Sequence, residues 1–243
     1  MIILGIETAT LQVGCAIGAQ EGVLGSFHAA RGRHHAETLT PAIQFTCAQA
    51  RIGLSEVSTV AVDIGPGLFT GLRVGIATGK AMAMALRVPM IGLSSLDLLA
   101  YPVRWSSRLI VPVIDARRGE IFWAYYRQVS GGVQRMSEYK VGKAEDLAAD
   151  LMAHKEEALL VGDGSIRYAD AFIDLENIET AGLGNAYPSA AALVELAQPR
   201  ALREDFIQPS ELKPLYLRKS DAEINWDLRE AGIDTSWSEQ AQR

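Results

Sequence analysis

Cysteine is nearly missing from this chain, with two in 243 residues: Cys15 in an alternating strand-like stretch and Cys47 in a helical one. Such a pair supports neither a disulfide framework nor a cysteine-rich zinc cluster, and it suits buried thiols in a reducing compartment, so a cytoplasmic location is expected. Histidine is scarce as well. His34 is followed four places on by Thr38 and His35 by Leu39, so the paired histidines that would share a helix face and one ion are absent. Neighbouring histidines on a helix diverge by about 100° and do not converge on one metal, and no bound metal is expected. No apolar run reaches the length of a membrane span. The opening Met1-Ile2-Ile3-Leu4-Gly5-Ile6 meets Glu7 at once and reads as a first strand rather than a signal peptide.

Positive charge is in deficit too. A net charge of −6 argues against a broad nucleic-acid surface. Small basic clusters remain at Arg31, Arg33, His34 and His35 and at Arg117 and Arg118, as solvated loops would equally supply. The phosphate and nucleophile motifs also fail. Gly79-Lys80 has Val74 where a P-loop needs its first glycine and Ala81 where it needs a hydroxyl, and Gly92-Leu93-Ser94-Ser95-Leu96 departs from G-x-S-x-G. No catalytic residue is assigned.

What the chain does have is glycine in an unusual place. Ala61-Val62-Asp63-Ile64-Gly65-Pro66-Gly67 reads as a buried strand and a tight turn, and the helix that follows, to about Leu86, carries Gly71, Gly75 and Gly79 at four-residue intervals. Each glycine costs roughly 1 kcal/mol against alanine inside a helix, so a close neighbour is implied. Leu72, Val74, Ile76, Met82, Met84 and Leu86 make this helix apolar nearly all round, as in one covered on more than one side. A preceding helix is expected from about Ala36 to Arg51, with Pro41 in its first turn and Leu39, Ile43 and Cys47 on one face. The pair is read as a partner-binding surface formed by Leu39, Ile43, Gly71, Leu72, Arg73, Gly75, Ile76, Gly79 and Lys80, with Arg73, Ile76 and Lys80 as its exposed contacts. The alternative is that the glycines pack only inside the domain. Two readings of the Gly65-Pro66-Gly67 turn also stay open, phosphate contact through free helix-start amides or a plain turn before a buried helix.

The chain repeats its own order of elements. Ile2 to Gly18 runs strand, acid, turn, strand, with Glu7 closing the first strand; Leu109 to Tyr126 does the same, with Asp115 closing the first strand. Val23–His28 adds a third strand, and each half later runs a buried strand into glycine, at Val60–Gly65 and at Ala158–Gly164. Asp63 and Asp163 end these strands, either to serve a ligand or to cap the next turn. The order of elements predicts an α/β fold of mixed sheets flanked by helices, and its duplication resembles the actin-like ATPase (sugar kinase and Hsp70-like) superfamily, which implies two duplicated ribonuclease-H-like domains. The boundaries expected are 1–104 for an N-terminal domain carrying the partner helices, 105–220 for a C-terminal domain that includes a helix from Ser189 to about Ala197, and 221–243 for a polar tail holding Trp226 and Trp237. In actin-like kinases glycine-bearing hairpin turns hold the ATP phosphates; here Glu7-Thr8-Ala9-Thr10 lacks the glycine and Asp115-Ala116-Arg117-Arg118-Gly119 places two cations in the turn. Glu7, Thr8, Arg117 and Arg118 are the candidate nucleotide or anion contacts, although Arg117 and Arg118 would also pair with Asp115 and Glu120.

Within that superfamily, Gly65-Pro66-Gly67-Leu68-Phe69-Thr70-Gly71-Leu72-Arg73-Val74-Gly75 resembles the GPGSFTGLRIG signature of the TsaB (YeaZ) family, with Leu68 in place of serine. Asp115-Ala116-Arg117-Arg118-Gly119-Glu120-Ile121-Phe122 is similar to its DARRGEVY segment, and Pro214-Leu215-Tyr216-Leu217-Arg218 to its P-x-Y-L-R. The resemblance spans residues 1 to about 219. It implies a non-catalytic partner of the transferase TsaD and the ATPase TsaE, working on N6-threonylcarbamoyladenosine beside the anticodon of tRNAs that read codons beginning with adenine, and touching tRNA only indirectly. It also implies no cofactor for the isolated chain, with ATP or ADP at an interface of the full assembly and a homodimer both left open. The alternatives weighed against it are a small-molecule kinase of the same superfamily and a stand-alone homodimeric regulator.

Overall fold

The computed structural model describes residues 1–218 apart from Arg31 and Arg33. The basic cluster at those two arginines and the tail from 221 with its tryptophans lie outside the described residues.

The first half runs β1 (Ile3–Glu7), β2 (Val13–Ala19), β3 (Gly22–Ala29), α1 (His35–Ala50), β4 (Thr59–Gly65), α2 (Phe69–Leu86), β5 (Met90–Ser94) and α3 (Ser95–Ala100). The second runs β6 (Leu109–Arg117), β7 (Glu120–Trp123), β8 (Tyr126–Val129), β9 (Gly132–Arg135), β10 (Lys140–Lys143), α4 (Ala144–His154), β11 (Ala158–Val161), α5 (Asp163–Arg167), β12 (Ile178–Thr180) and α6 (Ala190–Leu202). The first sheet is ordered β3-β2-β1-β4-β5 and the main path of the second β10-β7-β6-β11-β12. In both, the first strand is central, a meander pairs antiparallel on one side of it, and two parallel strands extend the other side. The same connectivity twice over is the duplication that the order of elements predicted, and Glu7 and Asp115 both stand at the carboxyl end of the central strand, before its hairpin. The second half adds one hairpin of its own, β8–β9, which pairs with β6 through Ile110 and Tyr126.

β1 and β4 are buried on both faces, and their sequences are accordingly apolar runs. Alternation sorts their side chains into two layers. Leu4, Ile6, Val60 and Val62 pack with Leu39, Ile43 and Cys47 of α1 and Ile76 and Ala83 of α2. Ile3, Ala61 and Ile91 face the opposite layer, and what covers them is α6, through Leu193, Val194 and Ala197. Thus α6, although it follows the second sheet in sequence, lies on the first. Glycines explain the fit. A Cβ at Gly5 would stand 2.7 Å from Val194, and one at Gly18 2.8 Å from it, so α6 sits closer than side-chain-bearing strands would allow. Polar contacts fix the return: Gln12 donates to the Pro188 carbonyl and Gln198 to that of Ala19. The segment after α6 follows, with Leu212 in the first core and the Leu215 amide donating to the Ile64 carbonyl.

The second sheet packs one face on α4 through Leu147 and Leu151. Its other face, with Ile110, Ile114, Phe122 and Tyr126, closes on Leu96, Leu99 and Ala100 of α3. A short helix that ends the first half in sequence thus serves as a floor for the second.

If α6 completes the first sheet, Leu193→Ala should cost about 2–5 kcal/mol in urea unfolding, the range for a fully buried leucine, and a loss under about 1 kcal/mol would show that α6 is dispensable there.

Candidate functional site

The glycine stripe meets the first hairpin turn, not a partner. A Cβ at Gly67 would overlap the Ala9 carbonyl, one at Gly71 the Thr8 carbonyl, one at Gly75 the Thr8 hydroxyl, and one at Gly79 would stand 2.5 Å from Val62. Hydrogen bonds close the same seam: the Leu68 amide donates to Ala9 O at 2.7 Å, and the Thr8 hydroxyl donates to Gly71 O at 2.8 Å. The internal alternative for the stripe is therefore the one observed. Leu39, Ile43, Leu72 and Ile76 are core residues as well, Ile76 being only 6% exposed. These residues shape the helix pair from inside, and of the nine expected contacts only Arg73 is exposed, with Lys80 half-buried. Arg73 is itself engaged: its guanidinium lies 3.8 Å from the Phe69 ring centroid and its Nε donates to the Tyr216 hydroxyl at 3.3 Å.

The outer face of the pair consists of residues that the sequence reading passed over. On α2, Ala77, Ala81, Met84 and Ala85 are exposed beside Arg73, and on α1 so are Gln44, Phe45 and Ala48. Phe45 is 56% and Met84 69% exposed, high for large apolar side chains. The signal was available: Ala77, Ala81 and Ala85 repeat every fourth residue on the face turned away from Gly71, Gly75 and Gly79.

The four candidate anion contacts are brought to two separate hairpins, and most of their polar capacity is spent. Glu7 is wholly buried; its Oε1 accepts from the Ala9 amide at 2.7 Å and its Oε2 has no hydrogen-bond partner. Burial, reinforced by the neighbouring Asp63 charge, raises its carboxyl well above the usual range. Thr8 is buried and committed to Gly71. In the second hairpin Arg117, Arg118 and Gly119 are all left-handed, with φ of 66°, 56° and 79°, a tight turn that only Gly119 adopts without cost. Arg117 pairs with Asp115 at 3.2 Å, Arg167 approaches the same carboxylate at 3.4 Å, and the Tyr168 hydroxyl donates to it at 3.1 Å. Glu120 is held by Arg218 at 2.7 Å. The pairing alternative for Arg117 is thus the geometry present. The first turn carries no glycine and is filled by α2, whereas a Cβ at Gly119 in the second would meet nothing within 4 Å.

Asp63 and Asp163 act as caps and links. Asp63 Oδ1 accepts from the Ser95 hydroxyl and from the Gly65 amide, both at 2.7 Å, while its Oδ2 is buried without a partner. Burial pushes its carboxyl up to about 7. Asp163 Oδ1 accepts from the Asp115 amide at 3.1 Å, and burial raises it to about 6. His34 and His35 part company as expected for neighbours on a helix: His34 lies against Glu37, and His35 is buried on Thr10 O at 2.8 Å. Among the described residues no three His, Cys, Asp or Glu side chains gather as metal ligands, and no helix is long and apolar enough to cross a membrane.

An acid that holds its proton more tightly when folded than when unfolded stabilises the fold fully below its ordinary pKa, and that contribution is lost as pH rises through the folded value. For Asp63 the window runs from 3.8 to about 7. Asp63→Asn should therefore flatten the fall in urea midpoint between these pH values; a variant curve parallel to that of the parent protein would refute the assignment.

The model of the family of tRNA N6-adenosine threonylcarbamoyltransferase, TsaD, matches residues 25–226. An uncharacterised Mycobacterium leprae protein is 37% identical over 91% of the chain, which spans 56% of that protein's length. The Bacillus subtilis tRNA threonylcarbamoyladenosine biosynthesis protein TsaB is 26% identical, the alignment covering 93% of this chain and 98% of the relative. Among solved structures, YeaZ from Pseudomonas aeruginosa superposes with a TM-score of 0.78 at 26% identity, over 89% of this chain and 99% of that one. The duplicated sheets, the glycine helix seated on the first hairpin and these matches lead to one conclusion: the chain belongs to the TsaB (YeaZ) family, within the wider group that the TsaD model describes.

Proposed function

We propose that this chain is a non-catalytic partner of TsaD, acting with TsaE in forming N6-threonylcarbamoyladenosine on tRNA, and that it docks TsaD through the outer face of α1 and α2. The similarity to the B. subtilis tRNA threonylcarbamoyladenosine biosynthesis protein supports the pathway. The observation that carries the docking surface is the set of exposed Ala77, Ala81, Met84 and Ala85 on α2, a helix seated from beneath by its glycines. Small side chains let a second helix pair approach closely, and a relative of the same fold would present one in the same way. Met84, 69% exposed, supplies a larger apolar contact on that face. The chain's part is to hold TsaD in a working arrangement, the chemistry and the tRNA contact belonging to the transferase. Thr8 is committed to Gly71 and Arg117 to Asp115 within the chain, which favours a partner over a small-molecule kinase. A homodimer would use the same helix face and compete with TsaD for it.

The test needs residues whose loss leaves the monomer intact. Ile76 is in the core and Arg73 holds Tyr216, so Ala81→Glu and Met84→Asp are better probes than changes at either. Each should weaken association with the same organism's TsaD about tenfold or more and lower reconstituted tRNA modification in step, while moving the melting temperature of the isolated chain by less than about 3 °C. Undiminished affinity in both variants would place the contact elsewhere.

A further inference from the structure

Between α3, α6 and the β8–β9 hairpin lies a cavity of about 540 Å3, within the size range of small-molecule sites. Its walls are drawn from both halves of the molecule, and none of the hairpin acids or turn arginines contributes to it. Leu93 of β5 and Leu196 of α6 give it an apolar side. Its charged groups are an acid and two guanidiniums, beside the polar side chains of Gln134, Tyr126 and Tyr139. Asp97 accepts from the Tyr126 hydroxyl at 2.7 Å, and no cation approaches it within ion-pair distance among the described residues. Burial raises its carboxyl, the Tyr126 hydrogen bond and the more distant Arg200 and Arg135 opposing the rise. An acid kept this way lacks a compensating positive partner of its own.

The two guanidiniums are held in place but far from saturated. Arg200 donates one Nη1 hydrogen bond to the Gly92 carbonyl at 3.2 Å. Arg135 lies over the Tyr139 ring, its Cζ 3.8 Å from the centroid, and meets the 95% exposed Glu138 only at 4.0 Å. Each guanidinium carries five N–H donors in a fork that suits a carboxylate. A ligand with negative charge alone would face Asp97, and one with positive charge alone would face both arginines.

We propose that this cavity binds a small zwitterion of amino-acid to dipeptide size with an apolar side chain, its carboxylate on Arg135 and Arg200, its ammonium on Asp97 and its side chain on Leu93 and Leu196. Such a ligand would join α6, which packs on the first sheet, to the hairpin that only the second sheet carries, so binding would also stabilise the chain against heat.

Calorimetric titration of the full chain with L-leucine and L-leucyl-L-leucine tests this, alongside 4-methylpentanoate and 3-methylbutylamine, which each lack one charge. At least one zwitterion should bind saturably, with both single-charge analogues about tenfold or more weaker, and Asp97→Asn and Arg135→Gln should each reduce zwitterion affinity by a similar factor. Arg135 is on the exposed hairpin, so its variant should keep the melting temperature of the parent and remains informative if Asp97→Asn misfolds. Absence of binding by both zwitterions at about 10 mM (far weaker than the millimolar binding worth about −4 kcal/mol), equal binding of the carboxylate alone, or full affinity in Arg135→Gln would overturn it. None of these residues lies on the TsaD-docking face, so this site and that role stand or fall separately.

Discussion

The structure depends on how closely α2 approaches the turn after β1. Without side chains at Gly67, Gly71 and Gly75, the helix backbone reaches the Thr8 and Ala9 backbone directly, and the Thr8 hydroxyl bonds back to the Gly71 carbonyl. The three glycines inside the helix, Gly71, Gly75 and Gly79, weaken it by roughly 3 kcal/mol in propensity, and that deficit is offset only by contacts that side chains would prevent. Several features follow from the seating. The first hairpin turn is filled by protein where a kinase of this architecture would hold phosphates, α2 presents its small outer residues at a fixed height beside α1, and Tyr216 reaches its start to stack on Phe69 at 5.2 Å.

The second hairpin reaches a similar end by charge. Asp115 is surrounded by Arg117, Arg167 and Tyr168, and Glu120 is held by Arg218 from the end of the described chain. Two turns at equivalent positions in a duplicated fold are thus closed by different means, one by backbone packing and the other by ion pairing. Ion pairs at a partly exposed turn contribute little to stability, so their larger effect is to orient Arg117 onto Asp115.

Much of this was legible in the sequence because it is written in local periods. The strand-acid-turn-strand order at Glu7 and Asp115 gave the duplication, and the glycine spacing announced a close approach. The direction of that approach was not legible: a helix apolar on several faces is consistent with glycine facing either the sheet or a partner, and only the Thr8 contact decides it. Ala77 and Ala81, which do face out, give no hydrophobic signal strong enough to stand apart from core alanines such as Ala83. The destination of α6 was hidden for another reason. Its apolar face would suit either sheet, and the choice is made by Gly5 and Gly18, strand glycines more than 170 residues away whose role shows only once Val194 lies over them. The cavity at Asp97 was equally silent, since Asp97, Arg135 and Arg200 share no spacing that a linear reading can weigh.

The return of α6 also dictates an order of events during synthesis. A face of the first sheet, formed by residues within the opening hundred, waits for a helix that is translated after nearly the whole second half, with Gln12 meeting Pro188 and Gln198 meeting Ala19 across separations of 176 and 179 residues. Contacts that distant slow folding and leave apolar surface uncovered in the meantime. The growing chain therefore carries an open sheet face through most of its elongation, and the amino-terminal half is the part that most needs chaperone cover until the ribosome has delivered the carboxy-terminal helix.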